Sequence, residues 1–137
     1  MEKFLSTIEH RSWTVTYLTE SDWLEIGTNF LNFSGDGIIV YVKEEHNDYI
    51  ISDDGYILNA RFDIDDDIAE SIIKSQIQYY PWAKYDCGEI TSRIDSEHIE
   101  QHFTDYISLL LQIQGIFSFL SDPKNKDILV EQLCITK

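Results

Sequence analysis

Two adjacent carboxylates, Asp53 and Asp54, are followed by Gly55 and form the pair in this sequence with the clearest potential for chemistry. Paired carboxylates can hold a divalent metal ion, and Lys43 or Glu25 on a neighbouring strand could complete a hydrolytic site. Adjacent residues of a strand point to opposite faces, so the two bind one ion only if the turn redirects one of them. The alternative is an Asx turn, in which a carboxylate accepts hydrogen bonds from backbone amides. We favour the Asx turn over the metal site. If the metal site is present instead, the protein would be a metal-dependent, nuclease-like hydrolase that uses Asp53 and Asp54.

The histidines and cysteines do not complete a second reactive site. His98 and His102 are four residues apart, which places both on one helix face, but the order is not HExxH and no third ligand stands out. Asp86 precedes Cys87 and raises the pKa of its thiol, so we expect a poor nucleophile. The sequence therefore predicts no metal site and no cofactor, and it favours a protein without enzymatic activity.

The strongest compositional feature is charge, with 25 Asp and Glu against 10 Lys and Arg and a formal net charge of −15. This balance opposes direct binding to nucleic-acid phosphates and to anionic membranes. It fits a partner with a basic surface, whereas the simpler alternative is that the acidity only keeps a small protein soluble. The carboxylates predicted to bind a partner form two rims, one of Glu44, Glu45 and Asp48 and one of Asp63, Asp65, Asp66, Asp67 and Glu70. The second rim also suits the N-cap and first turn of a helix, where acidic side chains are stabilising.

The elements that position these residues begin with an antiparallel meander over Asp36–Phe62. Residues 38–42 alternate in the period of a strand, residues 49–51 resume it, and Asp54-Gly55 predicts a turn into a third strand at 56–58. Helical periodicity follows from Ile68, and Ser96 is expected to cap a long helix that carries an apolar stripe to Leu120.

The remaining segments complete a single α+β domain over residues 1–137, in which an antiparallel meander-type sheet packs against a long C-terminal helix and shorter helices. They are a short helix within 1–10, strands within 13–18 and 23–33, a hairpin of 83–85 with 89–94, an aromatic patch of Tyr79, Tyr80, Trp82 and Tyr85, and a short helix within 124–137.

The chain lacks a signal-peptide pattern and any run of membrane-spanning length. Its two cysteines, Cys87 and Cys134, are isolated, which favours a reduced environment. We therefore expect a cytoplasmic protein. Its oligomeric state stays open.

Residues 28–58 resemble the DUF1828 family, small bacterial and prophage domains of unassigned activity. The matching pieces are Thr28-x-Phe30-Leu31, Asp36-x-Ile38-x-Val40-Tyr41-Val42 and Tyr49-Ile50-Ile51-Ser52-Asp53-Asp54-Gly55-Tyr56. Asn29, Phe33 and Ser34 depart from the family, whose members often carry a proline after the threonine and a basic residue with a histidine before the aspartate. The resemblance covers residues 13–120 and implies a fold and a phage-linked context, without a mechanism.

These observations lead to one main functional hypothesis. We expect a non-enzymatic acidic interaction module, encoded by a phage or prophage, that inhibits a host defence protein by occupying its basic, nucleic-acid-binding surface as a DNA mimic. Besides the hydrolase, a further alternative is the neutralising partner of a toxin, an antitoxin-like protein.

Overall fold

The computed structural model describes residues 1–9, 11, 13–31 and 35–125. Six strands form one antiparallel sheet in the order β1-β2-β3-β4-β6-β5. The strands are β1 (Thr14–Tyr17), β2 (Leu24–Leu31), β3 (Gly37–Glu45), β4 (Asp48–Ser52), β5 (Ala83–Asp86) and β6 (Glu89–Ile94). The helices are α1 (Glu2–Ile8), α2 (Tyr56–Asn59), α3 (Asp66–Ile77) and α4 (Ile99–Ser121). The predicted α+β class is confirmed.

The alternating pattern of β3 decides which face of the sheet is buried. Ile38, Val40 and Val42 are fully buried, whereas Ile39, Tyr41 and Lys43 point to the other face. The buried face packs against the helices, where the ring of Phe4 lies 5.2 Å from Tyr49 and 5.9 Å from Phe103. Burial of these large apolar side chains is the main stabilising contribution to the domain.

The third strand predicted at 56–58 is wrong, because Tyr56–Asn59 forms the short helix α2. The predicted turn is present, since the carbonyl of Asp53 accepts a hydrogen bond from the Tyr56 amide at 3.0 Å. The chain leaves this turn as a helix because β6, which is distant in sequence, already pairs with the free edge of β4. A run of three apolar residues does not by itself distinguish a strand from a buried helical turn.

The two hairpins follow the predicted strands. β3 and β4 are joined by His46 and Asn47 with φ of 50° and 69°, and β5 and β6 are joined by Cys87 and Gly88 with φ of 53° and 79°. Positive φ at both central residues is what a two-residue type I′ turn requires, and this turn matches the twist of the flanking strands. The predicted pairing of 83–85 with 89–94 is confirmed.

The long helix α4 begins at Ile99, so the prediction of Ser96 as its N-cap is wrong. Residues 95–97 form a separate turn. The carboxylate of Asp48 accepts a hydrogen bond from the Ser96 amide at 3.0 Å, and the carboxylate of Asp95 accepts one from the Glu97 amide at 2.8 Å. The His98 amide also donates to the Asp95 carbonyl at 3.0 Å, so residues 95–98 form a turn that precedes the helix. The apolar stripe is confirmed, with residues from Ile99 to Leu120 in the core.

By length and composition α4 could cross a membrane, but half of its most apolar 18-residue window is buried inside the domain. The core helix of a soluble protein is buried in this way, and it can also have the length and apolar composition of a membrane-spanning helix. Most of the short helix predicted within 124–137 lies outside the described residues, and so does Cys134.

Candidate functional site

Asp53 and Asp54, the predicted reactive pair, have different environments. Asp53 is 1% exposed, and its carboxylate accepts hydrogen bonds from the amides of Gly55 at 3.1 Å, Ile57 at 2.9 Å and Ile90 at 2.9 Å. Asp54 is exposed and lines a cleft together with residues of β3, β4 and β6. The Asx turn is therefore present, and the two carboxylates do not converge on one ion.

The buried carboxylate of Asp53 connects two turns. Its bonds to Gly55 and Ile57 fix the start of α2, and its bond to Ile90 ties that turn to β6. Burial raises the pKa of Asp53 above 3.8, an effect that the three amides partly offset. A carboxylate whose oxygens are occupied by backbone amides is a structural group rather than a free ligand.

The cleft beside Asp54 holds a polar network. The Asp54 amide donates to the Ser52 hydroxyl at 2.9 Å, and that hydroxyl donates to Glu89. The Tyr41 hydroxyl donates to Glu25 at 3.4 Å, and burial, followed by the charges of Glu25 and Asp54, raises its pKa above 10.0. Within residues 1–9, 11, 13–31 and 35–125, no group of three His, Cys, Asp or Glu residues is placed to hold a metal ion.

Lys43 lies beside Trp23, one of the residues that line this cleft. Its ammonium lies 5.0 Å from the centre of the Trp23 ring and 3.9 Å from the carboxylate of Glu45. Glu25 contacts the cleft residue Tyr41, whereas the carboxylate of Asp53 is buried and bonded to three backbone amides.

The two predicted acidic rims lie at opposite ends of the sheet. Glu45 and Asp48 flank the β3–β4 turn. At the far end of β4, the Asp53 amide donates a hydrogen bond to the carbonyl of Ile90 in β6. The hydroxyl of Tyr85 in β5 donates to the Glu70 carboxylate at 3.0 Å, so the first turns of α3 lie at this same end of the sheet. Since β4 spans five residues, the two ends are about 13 Å apart along the strand.

The rim at the β3–β4 turn is partly neutralised by nearby cations. Glu44 pairs with the N-terminal ammonium, and Glu45 with Lys43. Asp48 accepts two hydrogen bonds from Arg93, at 2.5 and 2.9 Å. The amide of Ser96 and then Arg93 lower the pKa of Asp48 below 3.8. Asp48 thus holds β4 to the turn before α4.

The opposite end of the sheet collects more carboxylates than the sequence analysis assigned to it. The additional members are Asp54, Asp86 and Glu89, which the sequence alone does not assign to this surface. They join it because the β5–β6 turn folds against the turn at Gly55, where an added Cβ would lie 3.5 Å from the carbonyl of Gly88. We call this surface the acidic end, and its members are Asp54, Asp63, Asp65, Asp66, Asp67, Glu70, Asp86 and Glu89.

Some carboxylates of the acidic end contact groups of the same chain. Arg61 pairs with Asp66 at 2.6 Å, and Glu70 accepts the hydroxyl of Tyr85, whose pKa is raised to about 12 by burial and then by Glu70. Asp65 occupies the N-cap position of α3, as predicted for the acidic run, but its side chain makes no capping hydrogen bond. The carboxylates of Asp65 and Asp67 are exposed.

The histidines organise the start of α4. The Asp95 amide donates to Nδ1 of His102 at 3.0 Å, and the rings of His98 and His102 stack at 5.7 Å. Cys87 is exposed in its turn, and the hydrogen bond and charge of Asp86 raise the pKa of its thiol above 9.0, in agreement with the sequence analysis.

Comparison with known proteins identifies the family. No curated protein and no solved structure matches this chain. A family model described as "Domain of unknown function DUF1828" matches residues 28–113, from β2 to α4. This match covers more than half of the chain and includes the turn of Asp53, the hairpins and the whole acidic end. The chain therefore belongs to the DUF1828 family.

Proposed function

We propose that this protein is a non-enzymatic acidic interaction module that binds a basic protein surface in the cytoplasm. The partner class we propose is a nucleic-acid-binding host defence protein, which a phage- or prophage-encoded inhibitor would block by DNA mimicry. The observation that carries the proposal is the acidic end, where carboxylates from three chain segments meet.

The acidic end supports binding because several of its carboxylates have no internal role that would compete with a partner. Asp65 and Asp67 are exposed at the start of α3, and the capping bond that would have occupied Asp65 is not formed. Arg61 pairs with Asp66. Complementary charge of this kind speeds association with a basic surface and selects against acidic ones.

The β3–β4 rim is a weaker part of the proposed surface. Glu44, Glu45 and Asp48 each contact a cation of the same chain, so a partner would have to replace these pairs. Replacement of an exposed ion pair by another gains little free energy. We therefore place the main binding contribution at the acidic end.

The test is affinity purification from a bacterial host lysate with the wild-type protein and the Asp65→Asn/Asp67→Asn variant. We expect the wild type to retain a basic protein at 0.1 M salt and release it at about 1 M, where the Debye length falls to about 3 Å. The variant should retain much less of that protein, and a DNA fragment should compete with the wild type for it.

The matched control is Glu2→Gln/Glu9→Gln, which removes the same charge from exposed positions near α1. It should behave as the wild type. The proposal is contradicted if the complex persists undiminished at 1 M salt, or if the variant and the control retain the partner equally. A retained basic toxin encoded beside this protein would identify the antitoxin-like alternative.

A further inference from the structure

A cavity of about 440 Å³ lies away from the acidic end, between one face of α4 and residues 79–82, which join α3 to β5. Its α4 wall carries His102, Asp105, Tyr106 and Gln112, which the helical period places on one face. The volume lies within the range of small-molecule sites.

Aromatic rings form the wall opposite α4. Tyr79 is 70% exposed and Trp82 is 44% exposed, although rings of this size usually bury more of their surface. Tyr80 lies between them in sequence and also lines the cavity. Tyr85, the fourth residue of the aromatic patch predicted from the sequence, does not line the cavity, and its hydroxyl donates to Glu70.

The ring of Trp82 shows what chemistry this wall favours. The guanidinium of Arg93 lies 5.1 Å from its centre, and the ring of His102 lies 5.7 Å away. An aromatic face attracts a cation through the quadrupole of its ring. One such pair is therefore already built into the edge of the cavity.

The charges around the cavity leave a net negative group on the α4 wall. Arg93 is paired with Asp48 at 2.5 Å, and Nδ1 of His102 accepts a hydrogen bond from the Asp95 amide at 3.0 Å. The carboxylate of Asp105 is exposed at the cavity. Burial is the largest cause of the raised pKa of Tyr80, and the charge of the nearby Asp105 carboxylate is the second.

We propose that this cavity binds an organic cation, a guanidinium or ammonium group carried on a short alkyl chain. The faces of Tyr79 and Tyr80 would contact the cation, and Asp105 would supply the opposite charge. A formal net charge of −15 repels anionic ligands and concentrates cations near the protein. The same chemistry is offered by a free quaternary ammonium and by a Lys or Arg side chain of another protein.

The test is a titration of the full chain, followed by tryptophan fluorescence and by NMR. The probes are tetramethylammonium, N-acetyl-arginine amide and the neutral N-acetyl-norleucine amide. We expect saturable binding of the cations and none of the neutral probe. Preference for tetramethylammonium would indicate a free cation as the natural ligand, and preference for the arginine amide a protein side chain.

Two variants locate the site. Asp105→Asn and Tyr79→Ala change exposed side chains and should preserve the fold. Each should weaken cation binding about two- to fivefold, the equivalent of about 0.5–1 kcal/mol. The control Glu2→Gln removes one charge elsewhere on the surface and should leave affinity unchanged.

The inference is overturned if Asp105→Asn and Glu2→Gln have the same effect, because the cations would then only accumulate around an acidic protein. It is also overturned if the neutral probe binds as well as the cations. Since Asp65 and Asp67 are unchanged in these variants, the outcome does not depend on the proposed binding of a basic partner at the acidic end.

Discussion

At the scale of single residues, Asp53 and Asp54 show how adjacent carboxylates acquire different roles. Asp53 points into the domain and is held by the amides of Gly55, Ile57 and Ile90. Asp54 has a φ of 51° and points to the exposed cleft. Asp is among the residues that tolerate this left-handed conformation, which suits it to position 54. At position 53 the turn needs a side chain that accepts hydrogen bonds from backbone amides, and a carboxylate does so.

We expect Asp53→Asn to lower the free energy of unfolding by about 1–3 kcal/mol, because an amide nitrogen cannot accept the hydrogen bond that a carboxylate oxygen accepts from a buried amide. Asp54→Asn should change it by less than about 0.5 kcal/mol, as expected for an exposed side chain. Urea denaturation measures both. Equal effects, or stabilisation by both variants, would instead indicate two carboxylates that repel each other at a shared metal site.

At the scale of elements, two short turns set the register of the sheet. The β5–β6 turn brings Asp86 and Glu89 to the acidic end, and it does so with Cys87 at a φ of 53°. A Cys side chain is not favoured in this conformation, whereas Asn before Gly is the common sequence of a type I′ turn. The residue at position 87 is therefore suboptimal for the turn it occupies.

We expect Cys87→Asn to raise the free energy of unfolding by about 0.5–1 kcal/mol, because Asn adopts the left-handed region at lower cost. Thermal or urea denaturation measures the change. Cys87→Ser also removes the thiol without favouring the turn, so it should stay within about 0.5 kcal/mol of the wild type. If Ser and Asn stabilise equally, the loss of the thiol and not the turn is responsible.

At the scale of the whole molecule, the acidity of the chain couples stability to pH through two opposite pKa shifts. Burial raises the pKa of Asp53, so the stability from its protonated form is fully present below 3.8 and is lost as pH rises through the folded-state value. The pKa of Asp48 is lowered by the Ser96 amide and Arg93, so its contribution is present above 3.8 and lost as pH falls through the folded-state value.

We therefore expect the free energy of unfolding to increase as pH is lowered from 7 towards about 4, and to decrease below about 4. Relief of repulsion among the carboxylates acts in the same direction above pH 4. Asp53→Asn removes one titrating group and should flatten the increase, and Asp54→Asn is the control with the same loss of charge. Parallel pH profiles for all three proteins, from urea midpoints, would contradict the role of Asp53.

Much of the architecture follows from local pattern. The alternation of Ile38, Val40 and Val42 fixes the buried face of β3, and the apolar stripe of α4 fixes the helix that covers the sheet. These periods depend only on backbone geometry, so the sequence determines them. The Asx turn at Asp53 is determined in the same way, since its chemistry is local.

Only the tertiary structure decided the features that depend on distant segments. Residues 56–58 are helical because β6 pairs with β4, and the turn before α4 is tied to β4 by the hydrogen bond from the Ser96 amide to Asp48. The acidic end exists because the β5–β6 turn packs against Gly55, and no local period carries that contact. The sequence thus determined the net charge and most of the elements, and the long-range pairing of β4 with β6 decided where the charges lie.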